Sequence, residues 1–235
     1  MVSYDSFYKV APCIKDNSEW RIVVDEFQYL LSDRGMKSEV EIRFLEALKE
    51  FPYVTYMSAT PILDKYIKDI SWFKGMDYTE LVWHNVEKVR LIRQQTKKPL
   101  DAAVEIVKTY KSGIFPFIEI DGRNIESKEC VIYLNSVNNI ANIIKQTQLK
   151  PEEVNIIVGS KEENDKQISK IGKGFKRGRI PLKDEPHKMF TFCTSTAFAG
   201  CDFYSTCASS YVISDSNRVH TSIDIATDLV QIAGR

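Results

Sequence analysis

The chain has few of the residues that would mark it as secreted, membrane-spanning or stapled by metal. Its five cysteines are odd in number and irregularly spaced, which excludes a dense disulfide framework and reads as reduced thiols in a cytoplasmic protein. Cys193, Cys201 and Cys207 lie close together, yet no C-x2-C pair occurs and His187 and His220 are not at finger spacing. The cysteines therefore read as small core residues rather than zinc ligands. No run approaches the roughly 18 apolar residues of a membrane span, and MVSYDSFYKV lacks the basic start and apolar core of a secretory leader. An excess of charge is missing too: 32 Lys+Arg face 32 Asp+Glu. Any grip on nucleic acid must come from a local patch, not from the overall field.

What is present is the material of a core. The chain is 43% hydrophobic and 11% aromatic, enough for one ordinary or two small domains. Arg21–Val24 is an apolar run that ends on Asp25-Glu26, the pattern of a buried parallel strand. Val40, Phe44, Leu45 and Leu48 recur at helical spacing between Ser38 and Glu50, and Pro52 stops the pattern. A second strand is expected at Tyr53–Met57 and a short helix at Ile62–Ile70. Thr79–Gln94 reads as an extended crossing segment, with Lys97-Lys98-Pro99 as the boundary of a second domain. There the expected order is a helix at Leu100–Tyr110, a strand at Cys130–Leu134 and a helix at Val137–Thr147. A strand at Val154–Val158 and a helix near Glu162–Ile171 follow. Strands at Met189–Cys193 and Ser210–Ser214 come next, then a final helix from Thr221 to Ala233 with Thr221 and Asp224 as its capping pair. Strands alternating with helices imply an α/β fold.

Four segments could carry chemistry. A strand that ends on Asp25-Glu26 delivers two carboxylates to the carboxyl edge of a sheet, where open α/β folds place ligands. One acid can hold the water shell of a magnesium ion and the other orient an attacking water; equally, Asp25 can cap a helix while Glu26 is solvated. Ser58-Ala59-Thr60-Pro61 should reach the same edge, as a hydrogen-bond relay or as a loop with a proline start. Thr194 to Phe203 follows a strand with hydroxyls and Gly200, leaving backbone N–H groups for phosphates, or forms a small-residue turn. Gln231 to Arg235 ends a predicted helix; an arginine there can neutralise a transferring phosphoryl group or complement the helix dipole. A fifth feature is the positive run Lys166, Lys170, Lys173, Lys176, Arg177, Arg179 and Lys183. Lys176 and Arg177 are its candidate phosphate contacts, and a solvated loop is the competing reading.

In this order and spacing the segments resemble the superfamily 2 helicases and translocases, the broad DEAD/DEAH-like group. Asp25-Glu26-Phe27-Gln28 is similar to their motif II and Ser58-Ala59-Thr60 to motif III. Val131 to Ser136 resembles the strand into motif IV, Thr194 to Asp202 motif V, and Gln231 to Arg235 the start of motif VI. The resemblance implies a RecA-like P-loop NTPase fold, with residues 1–95 forming the back half of a first lobe and 96–235 a nearly complete second lobe. It implies that Asp25 holds Mg2+ through water and Glu26 polarises the hydrolytic water, while Gln231 and Arg235 face the γ-phosphate. Gln28, Ser58, Ala59 and Thr60 would couple hydrolysis to lobe movement. Gly200 and Asp202 would lie near the nucleotide, and Thr194, Ser195 and Thr196 on the backbone of DNA or RNA.

The departures are as informative. No G-x-x-x-x-G-K-[ST] loop occurs, Gly172-Lys173-Gly174-Phe175-Lys176 does not meet its spacing, and 24 residues precede Asp25. The expectation is a fragment of a motor whose intact parent uses ATP and Mg2+, with no nucleotide held tightly by this chain and no ATPase activity of its own. Self-association through an exposed sheet edge is expected, and no membrane partner. A non-enzymatic nucleic-acid- or protein-binding module on the same scaffold, or an unrelated α/β nucleotide-binding protein, would also fit the absent loop.

Overall fold

The structure, a computed structural model, describes residues 1–28, 30, 38–58, 73–82, 84, 89–120, 122–198, 201–225 and 227–233. The chain divides into two units, Met1–Val82 and Trp83–Arg235. The predicted helix at 62–70 falls outside the described residues.

In the first unit, helix α1 (Tyr4–Val10) precedes strand β1 (Arg21–Val24), helix α2 (Ser38–Leu48) and strand β2 (Tyr53–Tyr56). β1 and β2 pair in parallel, with Arg21 opposite Tyr53 and Val24 opposite Tyr56. Because successive side chains leave a strand on opposite faces, Ile22, Val24, Val54 and Tyr56 reach a core built with Phe7, Phe44, Leu45, Leu48 and Phe51. Val23 and Tyr53 stand on the other, exposed face. Phe44, Leu45 and Leu48 share one side of α2, as their spacing predicts, and the Tyr4 ring lies 4.6 Å from that of Phe44.

The second unit begins with helix α3 (Pro99–Lys111), whose proline occupies the first turn where a missing N–H costs nothing. Strands β3 (Phe117–Ile120) and β4 (Arg123–Glu126) form an antiparallel hairpin that the helical and strand patterns of the sequence did not announce. Then come β5 (Glu129–Tyr133), α4 (Val137–Thr147), β6 (Val154–Ile157), α5 (Glu162–Ser169), β7 (Phe190–Cys193), β8 (Ala208–Val212) and α6 (Asp228–Ala233). The central sheet is parallel in the order β6-β7-β5-β8.

Two cores explain why these strands read as continuous apolar runs. Cys130, Ile132 and Leu134, with Val154, Ile156, Phe190 and Phe192, face a core shared with α3, α4 and α5. Val131, Tyr133, Ile157 and Cys193 face a second core on the opposite side, with Phe198, Ile223 and Ile232. A parallel sheet covered on both faces needs apolar residues at every position. Ile140, Ile143 and Ile144 are each at most 1% exposed, and burying each stabilises the unit by roughly 1.5–3 kcal/mol. The result is a mixed α/β, Rossmann-like architecture. Among the described residues no helix is long and apolar enough to cross a membrane.

The end of the chain differs from expectation. Helix α6 spans Asp228–Ala233 and does not start at Thr221, which closes a separate 3-10 turn, Val219–Thr221. The expected capping pair is replaced: the Asp224 carboxylate accepts from the Thr227 N–H at 3.0 Å, and Asp228 accepts from the Asp224 N–H at 3.1 Å. The Ile223 N–H donates to the Ser214 hydroxyl at 3.1 Å, which ties residues 222–224 to the end of β8 instead of into a helix. β8 itself begins at Ala208, two residues ahead of the predicted Ser210.

Candidate functional site

Two sheet edges gather the candidate residues, one in each unit. In the first unit, the Met57 N–H donates to the Val24 carbonyl at 2.8 Å and the Phe27 N–H to the Met57 carbonyl at 3.1 Å. These bonds carry the parallel pairing one step past the strands. They place Asp25-Glu26 and Ser58 on the same carboxyl edge. Between the two bonds Glu26 is forced to a φ of 53°, a left-handed conformation uncommon for a residue with a side chain and concentrated at functional sites.

The carboxylates at this edge are oriented by neighbours. The Asp25 carboxylate accepts from the Glu26 N–H at 2.9 Å, and the Tyr4 hydroxyl donates to the Asp25 backbone carbonyl. The Gln28 amide donates to the Glu26 carboxylate. Gln28 is 4% exposed, and among the described residues its buried amide oxygen has no hydrogen-bond partner. The sequence marked Asp25, Glu26, Gln28 and Ser58, and the structure brings all four to one edge. It missed Tyr4 as the residue that holds the turn; the signal was an aromatic with a polar tip at the start of a helix. Ala59 and Thr60 lie outside the described residues.

Asp25 suits the outer coordination of a magnesium ion. It is exposed, and among the described residues one carboxylate oxygen remains without a hydrogen bond. Among the described residues no three His, Cys, Asp or Glu side chains gather as a metal site; a contact made through water needs fewer protein ligands. The 235 residues contain no glycine-rich lysine loop, the usual source of N–H donors and a cation for nucleotide phosphates.

In the second unit, the strand ends carry a row of small polar residues: Asn135-Ser136 after β5, Gly159-Ser160 beyond β6, Thr194-Ser195-Thr196 after β7 and Ser214-Asp215 beyond β8. In open α/β sheets ligands bind outside the carboxyl ends of the strands, where this row lies. Asn135 joins two of the loops. Its amide oxygen accepts from the Ser195 N–H at 3.2 Å, and its amide nitrogen donates to the His220 carbonyl at 3.1 Å. The Asn164 amide donates to the Gly159 carbonyl at 2.9 Å. A Cβ on Gly159 would stand 3.2 Å from the Thr196 hydroxyl, so glycine lets that hydroxyl approach the backbone.

Of the predicted contacts, Thr194 is buried and its N–H donates to the Ile157 carbonyl at 3.1 Å, whereas Ser195 and Thr196 are exposed in a 3-10 turn. Asp202 is exposed, and Gln231 is buried in α6. Gly200 and Arg235 fall outside the described residues. Lys176 is exposed, and the Arg177 guanidinium lies 3.6 Å from the Asp165 carboxylate. Asn135 and Asn164 were missed as site residues; an amide directly after a fully apolar strand was the available signal for the first. Burial pushes the Cys130 and Cys193 thiols up, out of the range of a reactive thiolate, so the sheet offers no cysteine nucleophile there.

Comparison of the chain with family models, with curated proteins and with solved structures gives no match in any of the three.

Proposed function

We propose that the chain carries part of a RecA-like, nucleic-acid-dependent NTPase motor of the superfamily 2 helicase and translocase type. One observation carries the reading: β1 and β2 pair in parallel and in register, so that Asp25-Glu26 and Ser58 share a carboxyl edge. In such a motor the acid pair and the hydroxyl after the neighbouring strand have to be adjacent, because one prepares the attacking water and the other senses the outcome. Asp25 would hold Mg2+ through water. Such an ion would supply charge neutralisation for the phosphates of ATP in an intact motor. Glu26 orients and polarises a water, for which its carboxylate must be released from the Gln28 amide. Gln231 in α6 belongs to the second unit's share of the machinery, as does Arg235.

The second unit supplies the nucleic-acid contact. Ser195 and Thr196 present their hydroxyls at an edge stiffened by Asn135, which holds the Ser195 N–H; hydroxyls are donors that phosphate oxygens of DNA or RNA accept from. A second reading, a nucleic-acid- or protein-binding module on this scaffold that does not hydrolyse ATP, is favoured by the absence of a phosphate loop from the 235 residues.

Fluorescence anisotropy with labelled DNA and RNA oligonucleotides tests the proposal. Affinity should fall as salt rises. A Ser195→Ala/Thr196→Ala variant should bind roughly tenfold more weakly, the equivalent of about one lost hydrogen bond to a charged group, with its unfolding midpoint kept. No binding of any oligonucleotide at low salt would overturn it.

A further inference from the structure

The long segment between α5 and β7 is held down along its length, and its cations are engaged unequally; Lys188 donates to the Pro151 and Val154 carbonyls at 2.7 and 2.8 Å. Ile171 and Phe175 pack against the core beneath α4 and α5. Gly174 takes a φ of 93°, and a Cβ there would sit 3.1 Å from the Pro151 ring, so the turn lies close on the residue that leads into β6. Gly178 donates its N–H to the Ile156 carbonyl at 2.8 Å, and the Asn155 amide donates to the Arg179 carbonyl at 2.9 Å. The segment thus covers the outer edge of β6, which would otherwise stand open.

The arginines serve this arrangement. Arg179 pairs with Glu185 at 2.6 Å, and Arg177 faces Asp165 at 3.6 Å with one guanidinium nitrogen buried. Lys166 is paired with Glu162 at 2.7 Å. Lys170, Lys173 and Lys176 are different. All three are exposed, and among the described residues none has an acid within ion-pair distance. Lys150, exposed beside Pro151, adds a fourth cation; Glu152 and Glu153 are the neighbouring acids, and the Glu153 carboxylate accepts from the Lys150 N–H at 2.7 Å.

Position separates these lysines from the Ser195–Thr196 edge. Lys173-Gly174 lies against Pro151, ahead of β6, whereas Ser195 and Thr196 follow β7, and β6 and β7 run parallel. A four-residue strand spans about 13 Å, so the two places cannot grip one phosphate.

We infer that Lys170, Lys173 and Lys176, on a turn fixed by Gly174 against Pro151, form a second phosphate-tracking surface at the amino-terminal edge of the sheet. It holds nucleic acid independently of sequence, while Arg177 and Arg179 position the turn. Exposed ammonium groups on flexible stems, carried by a fixed turn, suit a repeating phosphate backbone. A membrane surface suits them less, because Phe175, the aromatic among them, is turned into the core and does not serve as an apolar anchor. The inference rests on the nucleic-acid reading above and extends it to a separate face.

The test is the salt dependence of oligonucleotide binding by a Lys170→Gln/Lys173→Gln/Lys176→Gln variant. Three lost phosphate contacts should lower the slope of log affinity against log salt by roughly 2 to 3, with Ser195→Ala/Thr196→Ala leaving the slope unchanged. A wild-type slope in the triple-lysine variant would overturn the inference while leaving the motor reading in place. Binding by the wild type to anionic lipid vesicles but to no oligonucleotide would overturn both. An Arg177→Gln/Arg179→Gln variant should lower the unfolding midpoint and, where folded, keep the wild-type slope; a slope reduced as far as in the lysine variant would overturn the division of roles.

Discussion

The amide oxygen of Asn135 accepts a hydrogen bond from the backbone N–H of Ser195 at 3.2 Å. Sixty residues apart in sequence, the two stand at the ends of neighbouring strands, and the other side of the same amide reaches the His220 carbonyl. Asn135→Ala should therefore lower unfolding free energy by about 1 to 3 kcal/mol, the worth of two such bonds. It should also weaken oligonucleotide binding by loosening Ser195 and Thr196. Asn135→Asp keeps the acceptor and loses the donor, so it should fall between wild type and alanine. Urea denaturation and anisotropy on the same samples check both effects.

Gly178 should prove as sensitive as any core residue. A Cβ at this position would stand 1.8 Å from the Asn155 amide oxygen and 3.0 Å from its carbon. Gly178→Ala must displace Asn155 and break its bond to the Arg179 carbonyl, at a cost of about 1 to 3 kcal/mol. In an Asn155→Ala background the obstacle is gone, and the same substitution should cost well under half as much. A double-mutant cycle by denaturation measures the coupling directly.

Acid should weaken the strap over β6 before it reaches the core. The Arg179 guanidinium, and then the Leu182 N–H, hold the Glu185 carboxyl below its ordinary range. A carboxyl with a lowered folded value contributes stability that is present above the ordinary carboxylate range and is lost as pH falls through the lowered value. Arg179 is exposed and Glu185 only half-buried, so solvent screens the pair and the effect is small. Glu185→Gln should flatten the acid limb of a stability–pH curve by lowering its neutral region by the same small amount, and should converge on the wild type at low pH, as followed by thermal melts across pH.

Much of this architecture was legible because its strands are buried on both faces. Runs such as Val131–Leu134 and Val154–Val158 have no other reading between turn signals, and α4 follows from Ile140, Ile143 and Ile144 at helical spacing. The β3–β4 hairpin was missed although Asp121-Gly122 between short alternating runs is a hairpin signal; Gly122 takes a φ of 71°. The helix predicted from Thr221 failed for a tertiary reason, the bond between Ile223 and the Ser214 hydroxyl, which no local pattern reveals. At the sites, acids and hydroxyls after strands were readable as residue types. The clamp made by Asn135 and the division of the basic run into paired residues (Lys166, Arg177 and Arg179) and the lysines Lys170, Lys173 and Lys176 depend on distances that spacing does not encode.

The central claim is that Asp25-Glu26 and Ser58 form the metal-facing edge of a motor. Manganese, a paramagnetic stand-in for magnesium, tests it without nucleotide or phosphate loop. In amide NMR spectra, titrated Mn2+ should broaden Asp25 to Gln28 and Ser58 first and most, and Asp25→Asn should abolish that local broadening while the rest of the spectrum is kept. Broadening that misses this edge, or that persists unchanged in Asp25→Asn, would contradict the account.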